Sequence, residues 1–171
     1  MKSVYVYIVL LTCSLQTLSR PNEFCRELTN KNVFDSKLLT QLPSKYGHCF
    51  IHGDSVKKDV STGISLFEKG IKDGNPQYNL YLGFIYKGYE GEQYINYEKA
   101  AKYLRKATEA NVAGSFIALG DMYEKGLYFK SDLNKALQLY VTEMLLEEKY
   151  GEPHYKSGAR EKIKQLSENN R

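Results

Sequence analysis

Residues 119–140, LGDMYEKGLYFKSDLNKALQLY, have two earlier counterparts in the same chain. The segment 119–132 aligns with YGHCFIHGDSVKKD (46–59) and with LGFIYKGYEGEQYIN (82–96), the middle copy being one residue longer. Gly47, Gly83 and Gly120 recur at steps of 36 and 37, and Phe50, Tyr86 and Tyr123 each follow three positions later. Asp59, Asn96 and Asp132 close the three copies. A fixed period of roughly 20–50 residues marks supersecondary units stacked in a row.

Behind each closing residue runs a second segment: VSTGISLFEKGIKDG, YEKAAKYLRKATEAN and LNKALQLYVTEMLLE. Apolar or small residues fall there at helical spacing, as in Ala100, Tyr103, Leu104 and Ala107, or Ala136, Leu139 and Tyr140. Each unit therefore reads as helix, Gly-containing turn, helix. Asp59, Asn96 and Asp132 stand where a side-chain oxygen caps the next helix. A glycine inside a helix costs about 1 kcal/mol against alanine, so the Gly of each first helix predicts a close crossing by its paired helix. Two helices cannot bury an apolar face alone, whereas stacked pairs share a core.

On these residues the chain resembles the Sel-one-like repeat, a relative of the tetratricopeptide repeat. The third copy carries the pattern in Leu119, Gly120, Tyr123, Gly126, Asp132, Lys135, Ala136 and Tyr140. The second keeps Leu82, Gly83, Tyr86, Asn96, Lys99, Ala100 and Lys106-Ala107. The first is degenerate, with Tyr46 for Leu, Phe50 for Tyr and Thr62-Gly63 for Lys-Ala. The resemblance implies an all-α protein, an α/α solenoid (superhelix) of about three helix-turn-helix repeats with terminal capping helices. Its units span about 40–74, 75–111 and 112–150. Residues 20–39 form an N-terminal capping segment. Gly151 and Pro153 break the chain before a C-terminal cap at 151–171, amphipathic through Tyr155, Ala159, Ile163 and Leu166.

The length suits one domain of ordinary size or two very small ones. The 171 residues are 42% hydrophobic and 26% charged, too apolar for a disordered chain, and 13 Gly without period exclude collagen. A formal charge of +4 is mild and demands no nucleic-acid partner. The 15 Tyr against no Trp point to aromatic positions inside the repeat.

Residues 1–19 read as a signal peptide: Lys2, an apolar run from Val4 to Leu11, then small and polar residues, with cleavage after Ser14 or Ser19. The run is too short to span a bilayer, and no later apolar run approaches 18 residues, so no stable membrane insertion is expected after its removal. The competing reading makes it a hydrophobic element of the fold. Leu11 and Thr12 fit poorly as a lipid-attachment box before Cys13. Export, to a secreted or periplasmic location, leaves Cys25 and Cys49, an even pair that reads as one disulfide. Closing that loop stabilises by roughly 3–4 kcal/mol. Without export, two buried thiols are expected instead.

Three features could carry chemistry. His48 and His52 share a helix face at i, i+4, but no zinc-protease Glu and no third ligand accompany them, so they read as surface histidines and no metal is assigned. Ser55 and Lys58 match the Ser-x-x-Lys of serine β-lactamases, yet they fall in an inter-helix turn. A cysteine-rich branch of the family is linked to β-lactam binding and hydrolysis. This chain has no Cys in its second and third copies, which leaves a β-lactam-handling enzyme as the alternative and a non-enzyme as the main reading.

The third feature is a concave face. If the units stack like tetratricopeptide repeats, the residues after each Gly and each aromatic line it: His48, Ile51 and His52, then Phe84 and Lys87, then Asp121, Glu124 and Lys125. An aromatic beside charges of both signs suits a protein or peptide partner. Tyr89, Tyr94 and Tyr97 make a second surface in the long turn. The expected function is an exported interaction module without cofactor, acting as a periplasmic adaptor or a toxin-neutralising immunity-type protein.

Overall fold

The computed structural model describes residues 23–28, 42–150 and 158–169. The expected signal at 1–19, most of the N-terminal segment and Tyr155 lie outside them. Among the described residues every regular element is helical. The chain divides into two compact units, residues 1–66 and 67–171.

The first unit holds a 3-10 turn at Glu23–Leu28, a second at Ser44–Tyr46, helix α1 (Gly47–His52) and the start of α2 (Val60–Lys72). Cys25 and Cys49 are bonded, their Cα atoms 5.7 Å apart, which ties the first turn to α1. Leu28, Leu42, Tyr46, Phe50 and Leu66 close over the bridge as a core. The Tyr46 hydroxyl donates to the Glu27 carboxylate. Here the close crossing sits at Gly63, where a Cβ would fall 2.5 Å from Ile51 Cδ1 and 2.9 Å from the Gly47 carbonyl. Gly63 stands where the other copies have Ala100 and Ala136.

The second unit contains α3 (Gln77–Phe84) running into a π turn (Ile85–Tyr89), then α4 (Tyr97–Glu109), α5 (Ser115–Lys125), α6 (Leu133–Tyr150) and α7 (Ala159–Asn169). Helix α3 packs on α4, α5 on both α4 and α6, and α7 on α6. The predicted crossings are present. A Cβ at Gly83 would lie 2.5 Å from Leu104 Cδ2, and one at Gly120 would lie 2.5 Å from Tyr140 Cε1. The extra residue of the middle copy is taken up in the π turn and the short 3-10 turn Glu92–Tyr94.

One backbone bond recurs in all three copies. The N–H of Asp59, Asn96 and Asp132 donates to the carbonyl of Phe50, Tyr86 and Tyr123, at 2.8, 2.9 and 3.0 Å. The same three side chains then cap the following helix, accepting the N–H of Thr62, Lys99 and Lys135 at 3.1, 2.9 and 2.9 Å.

Tyrosines fill the interior as the repeat predicts. Tyr86 and Tyr103 stack at 5.8 Å between centroids, and the Tyr103 hydroxyl donates to Glu68 at 3.0 Å. Burial, reinforced by Glu68, pushes Tyr103 up to about 12. The C-terminal cap seats Ile163 and Leu166 against Ala136 and Tyr140. Glu143 of α6 is 1% exposed and takes the Gly114 and Phe116 N–H groups at 2.6 and 3.3 Å, capping α5 from a neighbouring helix. Burial raises its carboxyl above the ordinary value.

Candidate functional site

The ends of α3 and α5 bring four expected residues together. Lys87 Nζ lies 2.8 Å from Asp121 Oδ2 and 3.4 Å from the Ala118 carbonyl, with only 5% of the lysine side chain exposed. Lys125 reaches the other oxygen, Asp121 Oδ1, at 2.8 Å. Glu124 accepts the Tyr140 hydroxyl at 2.5 Å and the Lys162 ammonium at 3.0 Å. Phe84 stands beside this cluster against Tyr89, centroids 5.0 Å apart.

Burial lowers the Lys87 ammonium, with Asp121 working against that fall. Burial alone would raise Asp121, but hydrogen bonds from Lys125 and Lys87 outweigh it and hold the carboxyl below its ordinary value. The same balance depresses Glu124, through the Tyr140 hydroxyl and Lys162. Lys162 also lies 3.8 Å from Asp121 Oδ1, so five charges are bound to one another. What remains for contact is Tyr89, 68% exposed, with the Lys87 ammonium 5.8 Å from its ring centroid, and the Lys125 side chain, 56% exposed.

The concave-face reading is corrected at two positions: Lys87, whose side chain is buried against Asp121, and Ile51. Ile51 is 3% exposed and fills the space that Gly63 leaves open, so it belongs to the core of the first unit and offers no surface. His48 and His52 do share a helix face, their rings stacked at 6.2 Å. Burial, then the charge of His52, lowers His48. Cys49 between them is bonded to Cys25, and no cluster of three or more metal-ligating side chains occurs among the described residues. Ser55 sits in the α1–α2 turn at φ +62°, and Lys58 follows in the same turn.

Tyr140 and Lys162 belong to the charged cluster but escaped the sequence reading. Lys162 comes from α7, outside the repeat, and nothing in its neighbours marks it. Tyr140 sits at a core position of the pattern, and only its hydroxyl reaches the site.

Comparison with known proteins bears on the repeat and its fold. The Sel1 repeat model matches residues 44–75, 76–112 and 117–141, more than half of the chain. The chain belongs to the Sel1 repeat family. A solved Sel1 repeat protein from Oxalobacter formigenes shares 21% identity at a TM-score of 0.53, over 77% of this chain and 60% of that one. A protective antigen of uropathogenic Escherichia coli strains with an SLR fold shares 19% identity at a TM-score of 0.52, over 74% of this chain and 30% of that one. At these identities the likeness is one of fold. This chain therefore spans less than two thirds of either solved relative. No curated protein matches in sequence. Sel1 repeat proteins are generally protein–protein interaction modules and typically non-enzymatic. Among the described residues no helix is long and apolar enough to cross a membrane.

Proposed function

We propose that this Sel1 repeat protein is exported and binds a protein or peptide partner through the α3–α5 face of its second unit, as a periplasmic adaptor or an immunity-type protein. The exposed Tyr89 carries the reading. It lies against Phe84 beside the cationic Lys87, a rigid amphipathic side chain on an already ordered base. Lys87, Asp121 and Glu124 act as that base, and Lys125 supplies an accessible charge. The Cys25–Cys49 bond supports an oxidising compartment.

The test is copurification of the tagged protein from its native envelope, run beside Tyr89→Ala and Phe84→Ala. A stoichiometric partner retained by the parent and lost by both variants is expected. Equal recovery from all three would remove this face from the function. Export is checked by the mass of the chain from the envelope fraction, which should lack residues 1–14 or 1–19. Two thiols alkylated before reduction would overturn both bridge and export.

A further inference from the structure

The first and third copies share a turn that lets one act as a control on the other. Gly53 and Gly126 end α1 and α5 in the left-handed region, at φ +79° and +67°. The next N–H, from Asp54 or Leu127, donates back to Cys49 or Met122 at 2.9 Å in both cases. The residue after that is left-handed again: Ser55 at φ +62° and Tyr128 at φ +68°. The same length then leads to Asp59 and Asp132, which bond back to Phe50 and Tyr123. The geometry of the turn thus imposes a left-handed residue at this position, whatever its side chain.

Glycine fits that conformation without penalty and asparagine tolerates it, whereas a bulky aromatic is strained there. Tyr128 is also 55% exposed, so burial does not offset the strain. Its ring meets Phe129 in a T-shaped contact, centroids 5.0 Å apart at 73°. Phe129 in turn is held flat on Tyr123 at 4.2 Å, with the Arg105 guanidinium 4.9 Å from its centroid. A rigid pedestal therefore presents a strained, exposed tyrosine. Leu133 and Leu137, one turn apart at the start of α6, are 41% and 37% exposed. Lys130 in the turn, and Lys102 beside Arg105 on α4, are exposed cations. Asp132 is committed to the cap of α6. Glu109, one turn beyond Arg105, is the nearest exposed acid on that helix.

We propose that the α5–α6 turn is a second docking surface, in which Tyr128 and Leu133 receive an apolar side chain of an acidic protein segment. The cations Lys102, Arg105 and Lys130 supply the charge complementarity, and the strain at Tyr128 is retained for contact. This surface is separate from Tyr89 and does not depend on the α3–α5 reading.

The test titrates the isotope-labelled full chain with a short Glu-rich peptide carrying one central Leu. A Lys-rich counterpart and phosphatidylglycerol vesicles serve as comparisons. Backbone shifts confined to residues 126–135 and the neighbourhood of Arg105 are expected, weakening with salt, and absent with the Lys-rich peptide. Tyr128→Gly should raise the melting temperature yet weaken peptide binding by about tenfold or more. A tyrosine that merely filled space would not move the two readouts in opposite directions. Shifts centred on Tyr89, no binding at millimolar peptide, unchanged affinity in Tyr128→Gly, or binding of vesicles without the peptide would each overturn the proposal.

Discussion

Lys87 of the second copy places its ammonium 2.8 Å from the carboxylate of Asp121 in the third, across a sequence separation of 34, with 5% of the lysine side chain exposed. This buried pair joins successive repeats. Lys125 holds the same carboxylate from the solvent side.

The two lysines should therefore differ in weight. Lys87→Met should cost about 2 kcal/mol, because Asp121 is left buried with weaker compensation. Lys125→Met should cost under about 1 kcal/mol, as for other exposed pairs. Urea denaturation measures both, and equal losses would show that burial does not set the strength of this network.

Gly120 offers a test whose sign is informative. Helix propensity alone predicts that alanine stabilises by about 1 kcal/mol. Packing predicts the reverse, since the new Cβ would lie 2.5 Å from Tyr140 Cε1 and 2.9 Å from Cδ1. Tyr140 is fully buried and its hydroxyl is anchored to Glu124, so Gly120→Ala should destabilise by about 1–3 kcal/mol. Gly83→Ala meets the more adaptable Leu104 and should cost less. A more stable Gly120→Ala protein would mean that the ring can move.

Asn96→Ala and Asp132→Ala each remove a side-chain cap bond of 2.9 Å. Each should cost about 1 kcal/mol. Chemical denaturation reads the loss, and Asp132→Asn, which keeps the accepting oxygen, should recover most of it. No recovery would assign the effect to charge instead of capping.

Asp121 and Glu124 also set an acid limit. Their folded values lie below the ordinary carboxylate values, so the stability they contribute is present above those ordinary values and lost as pH falls through the folded ones. Stability should therefore fall with acidification below about pH 4. Glu143 has the opposite sign. Its raised carboxyl contributes stability that is complete below the ordinary glutamate value and lost as pH rises through the folded one. Thermal melts across pH should show the acid limb flattened in Asp121→Asn, and an unchanged limb would remove Asp121 from the account.

The local plan is legible in the sequence. Glycine, aromatic and polar closer recur because each unit needs the same crossing, the same turn and the same cap, and all three are short-range requirements. Those residues could be read without coordinates, as could the Cys25–Cys49 pair, since few cysteines leave few pairings. Side-chain direction was another matter. Ile51 follows the aromatic of its copy as Lys87 and Glu124 follow theirs, yet it turns inward because Gly63 leaves a space only the folded unit reveals. Glu143 caps α5 from a different helix, and Lys162 reaches Glu124 from a cap outside the repeat. Such contacts depend on which helix faces lie within a few ångströms, which periodicity does not encode. Only the packed helices reveal that the charges of the α3–α5 face neutralise one another and that Tyr89 and Tyr128 stand exposed, because burial belongs to the assembly of helices and not to any one of them.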